Sequence, residues 1–309
     1  NDEVIVPDMT FVATANAVLL TGATPVLADV NKDDFCISID SIKKSITKKT
    51  KAILPVHFAG RPCEMSKILS IAKKHSLKII EDCAHGIGAR IKRKHVGTFG
   101  NVGCFSFYPT KNITTFEGGM IITNSKKIAE FVSSARNHGL TKNLHDRFSK
   151  GRPWDYDVKY PGYNYRLDEI RSSLGINQLK RINQINLLRK RACEYYNSKL
   201  EKINGIVIPN YPTNQQNGFH LYILRIQKQF GLSRDKLFHK FQKNGIRTSV
   251  HYKPLHQFTA YKKMAKVYDC LNNSNHIYKE IITLPLFPQI SKKQQNMVIN
   301  SLISTTSLL

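Results

Sequence analysis

The sequence predicts an α/β protein whose central sheet is mainly parallel. Before residue 125, short apolar runs alternate with segments of helical periodicity, which is the pattern of successive strand–helix–strand units. The apolar runs are continuous, as in residues 52–56, and this is typical of strands covered by helices on both faces. A length of 309 residues, with 41% apolar and 22% charged residues, suits a globular chain of two domains.

Six strands and three helices are predicted in this first part. The strands are expected at Glu3–Val6, Pro25–Val30, Lys51–Phe58, Leu77–Glu81, Val102–Phe107 and Met120–Thr123. The helices are expected at Phe11–Leu20, Ile39–Ile46 and Glu64–His75. These elements define a large domain over residues 1–166.

The second half changes in character. Residues 141–166 are rich in glycine, proline and charge, which predicts a long loop. Apolar residues three and four apart over 167–205 then predict one long linking helix. A small α+β domain is expected over 206–309. Its predicted elements are a strand at Phe219–Ile226, a helix opened by Ser233, a strand at Thr248–Tyr252 and two closing helices.

Composition indicates a cytoplasmic protein. No apolar stretch approaches the roughly 20 residues that cross a bilayer, so no membrane partner is expected. The first residues, Asn1-Asp2-Glu3, lack the basic and apolar segments of a signal peptide. Six scattered cysteines offer neither zinc-ligand spacing nor a disulfide framework, so no metal is expected.

The net charge of +25 raises the possibility of nucleic-acid binding. However, residues 1–35 carry one lysine against six acids, and the basic excess is spread over all that follows. A diffuse excess of lysine without a discrete basic arm favours a compositional origin. No specific nucleic acid is therefore expected as a partner.

Two side chains at predicted strand ends point to pyridoxal phosphate chemistry. Asp82 ends one strand, and Lys111 lies 29 residues later, in a turn rich in hydroxyls and glycines after another strand. In open α/β sheets, ligands bind at the carboxyl edge of the strands. A lysine that forms a Schiff base and a carboxylate that keeps the pyridine nitrogen protonated are the pair that this cofactor needs.

Motifs along nearly the whole chain closely resemble those of the DegT/DnrJ/StrS-type aminotransferases. These are fold type I, pyridoxal-phosphate-dependent enzymes that aminate keto sugars carried on nucleotides. The matching segments are 2–7, 10–16, 22–26, 55–60, 81–85, 106–119, 162–167, 245–248, 251–256 and 284–288. The resemblance implies a mainly parallel sheet flanked by helices, followed by a smaller C-terminal α+β domain.

The resemblance also implies roles for particular residues. Lys111 would form the Schiff base and move protons between cofactor and substrate, while Asp82 would hold the pyridine nitrogen. The other implied cofactor contacts are Phe11 stacking on the ring, His85 at the ring hydroxyl, Ser106 at the phosphate, and Asn164 at the phosphate of a partner subunit. A homodimer with shared active sites follows from the role of Asn164. From the residues alone, Phe11 reads as a core side chain of an apolar helix.

Four further residues are candidates for substrate contact: His251, His256, Arg166 and His220. The basic residues Lys142, Arg147, Lys150 and Arg152 are compatible with a diphosphate, although a solvated charged loop is the favoured interpretation. Relatives carry a phosphate-binding Ser-Gly-Thr segment upstream of the position of Asn1, so a missing N-terminal portion is expected. Phe116 stands where relatives often have glycine.

The expected activity is transamination from an amino acid, with L-glutamate as the expected donor, to a keto nucleotide sugar, through pyridoxamine phosphate. Surface-glycan, lipopolysaccharide or similar amino-sugar biosynthesis is the expected setting. One alternative is a deoxysugar dehydratase of the same family, in which the Schiff-base lysine is commonly replaced by histidine. Another is a non-catalytic regulatory or nucleic-acid-binding protein, which would be expected to lose Lys111 or Asp82.

Overall fold

A six-stranded sheet forms the centre of the computed structural model, which describes residues 1–141 and 154–306. Its strand order is β2-β1-β3-β4-β7-β8, and every neighbouring pair is parallel except β7 with β8. These strands are β1 (Glu3–Pro7), β2 (Thr24–Ala28), β3 (Thr50–Ile53), β4 (Lys78–Asp82), β7 (Val102–Ser106) and β8 (Gly119–Ile122). The fold is thus mixed α/β with a mainly parallel central sheet, as the sequence predicts.

Two smaller three-stranded sheets complete the strand set in the described residues. One has the order β10-β5-β6 and the other β12-β11-β9, both antiparallel. Their strands are β5 (Arg90–Ile91), β6 (Lys94–His95), β9 (Ile206–Val207), β10 (Gln215–Gln216), β11 (Tyr222–Ile226) and β12 (Ile281–Leu284).

Helices flank the sheets, and several begin at residues suited to capping. In chain order they are α1 (Val12–Leu20), α2 (Ile39–Ser45), α3 (Met65–Lys74), α4 (Lys126–Ala135), α5 (Glu169–Leu179), α6 (Ile182–Leu200), α7 (Arg234–Lys243), α8 (Thr259–Met264), α9 (Asn272–Glu280) and α10 (Lys292–Thr306). The side chains of Ser38, Ser125, Asp168 and Ser233 each accept a hydrogen bond from a backbone N–H in the first turn of their helix.

The buried core joins the two halves of the chain. Leu255, Tyr261 and Leu271 pack with Val6 and Leu27 of the large sheet. A second cluster combines residues of the first half with side chains from β11 and α9. The division at residues 166 and 205 stays a prediction.

The prediction of one continuous helix over 167–205 is wrong. Two helices, α5 and α6, are separated by a turn at Lys180 and Arg181. Ala192, Cys193 and Leu200 of α6 are buried, whereas Ile170 and Ile176 of α5 are exposed. The three-and-four spacing continues across the turn, and neither glycine nor proline marks it, so the sequence carries no sign of the break.

The predicted strand at Thr248–Tyr252 is also wrong. Only Ser249 forms an isolated bridge there, and its partner is Thr283 on β12, a strand that the sequence analysis did not assign. Helix α4 was likewise unassigned. The strand predicted from Phe219 begins instead at Tyr222, because Phe219 has a φ of 49° and the chain before β11 bonds to the turn at residues 58–60.

Candidate active site

Asp82 lies at the carboxyl end of β4, where two hydrogen bonds fix its carboxylate. The backbone N–H of Ala84 donates to Oδ1 at 3.0 Å, and the Thr14 hydroxyl, on the buried face of α1, donates to Oδ2 at 2.8 Å. The Thr10 hydroxyl lies 3.0 Å from that of Thr14. Since the Thr14 proton is committed to Asp82, Thr10 is the donor in this pair, and the two threonines orient the carboxylate.

The residue before Asp82 anchors the neighbouring loop. Glu81 is fully buried; it lies 3.0 Å from His57 Nε2 and accepts hydrogen bonds from the backbone N–H groups of Gly97, Phe99 and Gly100. Burial alone would raise the pKa of Glu81, but the contacts with His57 and the backbone lower it below its usual value. His57, Glu81 and Cys83 bring ligand atoms within 4.8 Å of one another. Because His57 and Glu81 already satisfy each other and the backbone, we assign them to holding the end of β4.

Lys111 follows β7, the strand adjacent to β4, and its backbone N–H donates to Tyr108 in a tight turn. Burial lowers the pKa of the Lys111 amine, while the nearby Asp82 carboxylate acts in the opposite direction. The strand-end arrangement predicted from sequence therefore brings the amine close to the carboxylate. A partly desolvated amine is more readily neutral, and only the neutral amine is nucleophilic.

Three histidines lie near Lys111. Burial is the main cause that holds the pKa of His85 and of His220 well below the ordinary value. The Lys111 ammonium lowers the pKa of His85 further. For His220, the electrostatic effect of His85 comes next, followed by that of Lys111. The same two causes lower the pKa of His251 to about 4. Its Nδ1 lies 2.8 Å from the Thr283 hydroxyl. All three imidazoles are thus neutral near pH 7, and the structure brings His220 and His251 to the predicted site.

An aromatic group forms one wall of the site. The rings of Phe11 and Tyr252 are 6.0 Å apart, and Tyr252 also packs against Phe58 and His85. The expectation of Phe11 as a core residue is wrong: it precedes α1 in an extended conformation, and 55% of its surface is exposed. An exposed ring at this point can stack on a flat ligand.

Ser106 is the last residue of β7, and its oxygen accepts a 3.4 Å hydrogen bond from the Tyr108 backbone. Asn164 and Arg166 lie elsewhere: both are exposed, and Arg166 Nε donates to Asn164 Oδ1 at 3.1 Å. Within one chain, the described contacts do not join Asn164 to the group around Lys111. The basic residues of the 142–152 segment lie outside the described residues.

His256 is engaged in structural contacts. Its Nδ1 lies 2.7 Å from the buried carboxylate of Asp8, and its Nε2 lies 3.0 Å from Asn275 Oδ1. The hydrogen bond to Asp8 is the main cause of a raised pKa for His256. The contact holds the loop that leads to Phe11, and a role in substrate contact stays a prediction.

Sequence reasoning did not nominate Thr14, Tyr252 or Asn112, although each lies within a quoted motif. Thr14 contacts a residue 68 positions away, and Tyr252 contacts one 167 positions away. The helical spacing of Thr10 and Thr14 could have indicated a shared polar face, but nothing local identifies its partner.

The sheet, the lysine and carboxylate at adjacent strand ends and the exposed aromatic ring together define a pyridoxal-phosphate-dependent enzyme of fold type I. The sequence profile of the DegT/DnrJ/EryC1/StrS aminotransferase family matches residues 1–303, and the chain belongs to this family. It is a pyridoxal-phosphate-dependent sugar aminotransferase.

Relatives in bacteria and archaea share most of the chain. MJ1066 of Methanocaldococcus jannaschii is 39% identical over 303 residues, and the spore coat polysaccharide biosynthesis protein SpsC of Bacillus subtilis is 35% identical over 304. Each alignment covers 97% of this chain and 78% of the relative.

Solved structures agree closely with the fold. PseC of Helicobacter pylori, an aminotransferase involved in pseudoaminic acid biosynthesis, is 31% identical with a TM-score of 0.91, over 100% of this chain and 80% of PseC. Spr1654 of Streptococcus pneumoniae in its PMP form is 30% identical with a TM-score of 0.91, over 99% of this chain and 82% of Spr1654. A PLP form of Spr1654 is also a structural neighbour.

The residues present fit this cofactor. The Lys111 amine is partly desolvated, the Asp82 carboxylate is held in a fixed orientation, and the exposed face of Phe11 suits a flat ring. When bound, pyridoxal phosphate accepts the electrons released at the substrate carbon. No helix in residues 1–141 or 154–306 combines the length and apolarity needed to cross a bilayer.

Proposed function

We propose that this protein transfers an amino group from L-glutamate to the keto group of a nucleotide-linked deoxysugar. The partly buried Lys111 amine beside the oriented Asp82 carboxylate is the observation that carries the chemistry. The relation to PseC and SpsC supports a role in amino-sugar or surface-polysaccharide biosynthesis. We place the reaction in the cytoplasm, where nucleotide sugars and glutamate would both be available.

In this proposal Lys111 binds the cofactor and then carries a proton between the carbons of the reacting groups. Burial favours the neutral amine, so Lys111 can accept a proton from substrate, and Asp82 favours its return to the charged form. The Asp82 carboxylate holds a proton at the pyridine nitrogen, and Thr14 keeps that carboxylate in place.

The remaining contacts position the reactants. Phe11 packs on the cofactor ring, His85 contacts the ring hydroxyl, and Ser106 with the partner's Asn164 binds the phosphate. His251 and His220 face the substrate as neutral groups. The partner contact requires a homodimer, and the exposure of Asn164 in one chain is compatible with it.

Lys111→Ala is the direct test. Its matched control is Lys127→Ala, because Lys127 is an exposed lysine. We expect Lys111→Ala to lose at least ~10³-fold in turnover and to lose the absorbance change on adding L-glutamate, because both the covalent attachment and the proton carrier are removed. The product from a keto nucleotide sugar should be an amino sugar with all its other hydroxyls. Turnover near that of Lys127→Ala, or a product that has lost a hydroxyl, would contradict the proposal.

A further inference from the structure

Asn112, directly after Lys111, connects three parts of the chain through a single buried amide. Its Nδ2 donates to Asn186 Oδ1 at 2.8 Å and to the Gly218 carbonyl at 2.5 Å, and its Oδ1 lies 2.9 Å from His220 Nδ1. Asn186 lies on α6 and is itself buried. A side chain with all these contacts fixes the turn that carries Lys111.

The orientation of this amide is determined by backbone carbonyls. Gly218 can only accept through its carbonyl, so the atom of Asn112 that faces it must be the nitrogen. Asn186 is oriented in the same way, because its Nδ2 donates to the Ile87 carbonyl at 3.1 Å. The oxygen of Asn112 therefore faces His220, and the proton in that contact belongs to His220 Nδ1.

The neighbouring ring of His85 carries the opposite tautomer. The backbone N–H of Ala59 donates to His85 Nδ1 at 3.3 Å, so the proton of the neutral ring is on Nε2, 3.3 Å from the Tyr252 hydroxyl. The two ring centroids are 4.3 Å apart. With both rings neutral, His85 offers a donor at Nε2, and His220 offers a lone pair at Nε2.

The segment that carries His220 is independently fixed. Arg189, on α6 and buried, donates through one nitrogen to the carbonyls of Phe219, His220 and Leu286. The backbone N–H of His220 donates to the Ala59 carbonyl, so the Ala59 peptide contacts both histidines. Among these contacts, only that of Asn112 is made to the imidazole and can select its tautomer, while the others hold the backbone of the segment.

We propose that Asn112 is a positioning residue that fixes His220 as the Nδ1–H tautomer, so that His85 and His220 present one donor and one acceptor beside Lys111. The value of this arrangement for transamination rests on the proposed role of Lys111. A neutral His220 near the amine adds no positive charge that would compete with it. The tautomers themselves do not depend on that role.

Nitrogen-15 NMR of histidine-labelled, cofactor-free protein tests the proposal directly. We expect His220 to be protonated at Nδ1 and His85 at Nε2 near pH 7, with the His220 signals assigned by their absence in His220→Gln. Asn112→Ala should abolish the Nδ1–H form of His220. Asn186→Ala is the matched control: it removes the other side-chain partner of Asn112 and should leave the His220 tautomer unchanged.

The outcomes separate the possibilities. A wild-type spectrum with His220 protonated at Nε2, or charged, overturns the proposal even if a variant fails to fold. An equal tautomer change in Asn186→Ala also overturns it, because the effect would then be general loosening. Turnover in Asn112→Ala should fall on the order of tenfold more than in Asn186→Ala, as expected for one lost buried hydrogen bond. If the tautomers are as proposed but Lys111→Ala keeps its turnover, only the proposed function fails.

Discussion

At the residue scale, burial controls charge around Lys111. His251 is depressed to a pKa of about 4, and His85 and His220 shift in the same direction. His256 shifts the other way, because Asp8 stabilises its charged form. The site is therefore composed of neutral imidazoles, whereas His256, whose charged form Asp8 favours, lies where it holds the loop before Phe11.

These shifts predict a loss of stability in mild acid. Unfolded histidine binds its proton near pH 6.5, whereas folded His251 binds it near pH 4. The contribution of these neutral histidines to the free energy of unfolding is complete above pH 6.5. It is lost as the pH falls toward 4, since the unfolded chain then binds more protons than the folded chain. For His251 the full loss is about 3 kcal/mol.

Urea unfolding between pH 7 and pH 4.5 checks this, with His251→Gln as the comparison. We expect the free energy of unfolding to fall less steeply in the variant. Identical slopes would contradict the assignment of His251 as a buried neutral group. The His256–Asp8 contact has the opposite pH dependence. Its contribution to the free energy of unfolding is complete below pH 6.5 and declines as the pH rises through the pKa of folded His256.

Thr14 offers a second test at this scale. Thr14→Val keeps the shape of the side chain and removes the hydrogen bond to Asp82 Oδ2. We expect kcat to fall about 10-fold, the equivalent of one hydrogen bond to a charged group, with little change in KM for the amino donor. Thr21→Val, which removes only a bond to the Val18 carbonyl at the end of α1, should keep wild-type kcat. A normal kcat for Thr14→Val would mean that Asp82 is oriented without it.

The sequence predicted the residues whose chemistry is local and missed those whose contacts are distant. Asp82 ends one recognisable strand and Lys111 follows another, and adjacent parallel strands bring their ends together. Thr14, Asn112 and Tyr252 act through partners brought together only by the tertiary fold. Their types and local spacing are those of ordinary helix, turn and loop residues.

At the element scale, β1 and β2 were predictable because each is a mostly buried apolar run, whereas β8 is predicted by its apolar residues although it is mostly exposed in this chain. The wrong assignments occur where the spacing of apolar residues does not match which residues are buried. Helix α5 exposes apolar side chains, so its periodicity blended into that of α6. Strand β12 is fully buried but short, and it directly follows α9, so its four residues resemble the end of a helix.

The contact between β7 and the loop at Gly97 predicts a destabilising substitution. A Cβ on Gly103 would lie 2.5 Å from Gly97 Cα, against backbone that cannot move aside easily. Gly103→Ala should lower the free energy of unfolding by on the order of 1–3 kcal/mol, through overpacking. Because Gly97 donates to Glu81, next to Asp82, turnover should fall as well.

Gly175→Ala is the matched control in α5. Its Cβ would approach one side-chain atom, the Thr115 methyl carbon at 2.9 Å, rather than backbone; the small shift that this requires is offset by the higher helix propensity of alanine. Urea midpoints for the two variants should differ clearly, with Gly175→Ala near the wild type. A wild-type midpoint for Gly103→Ala would show that the loop at Gly97 can move away without cost.

At the scale of the whole molecule, several large apolar side chains are exposed on β8, on α5 and in the segment before β8. Phe116, Met120 and Ile170 are exposed by 66%, 50% and 84%. Thr114 is hydrogen-bonded to Gln178 of α5, and Gly118 lies close to Leu167, just before that helix, so the segment with Phe116 packs along α5. Contiguous apolar surface is a mark of association sites, and two-fold dimers are the commonest closed assembly.

The proposed homodimer with shared sites predicts that two inactive variants restore activity to each other. Lys111→Ala removes a residue from its own subunit's site, whereas Asn164→Ala removes one from the partner's site. In a mixed dimer, one site carries both lesions and the other carries neither. After equal mixing and full exchange, half of the dimers are mixed, so about a quarter of wild-type turnover should return. Size-exclusion and tagged co-purification establish that exchange has occurred. If exchange is complete and turnover stays at the level of the separate variants, Asn164 acts within its own chain or not at all.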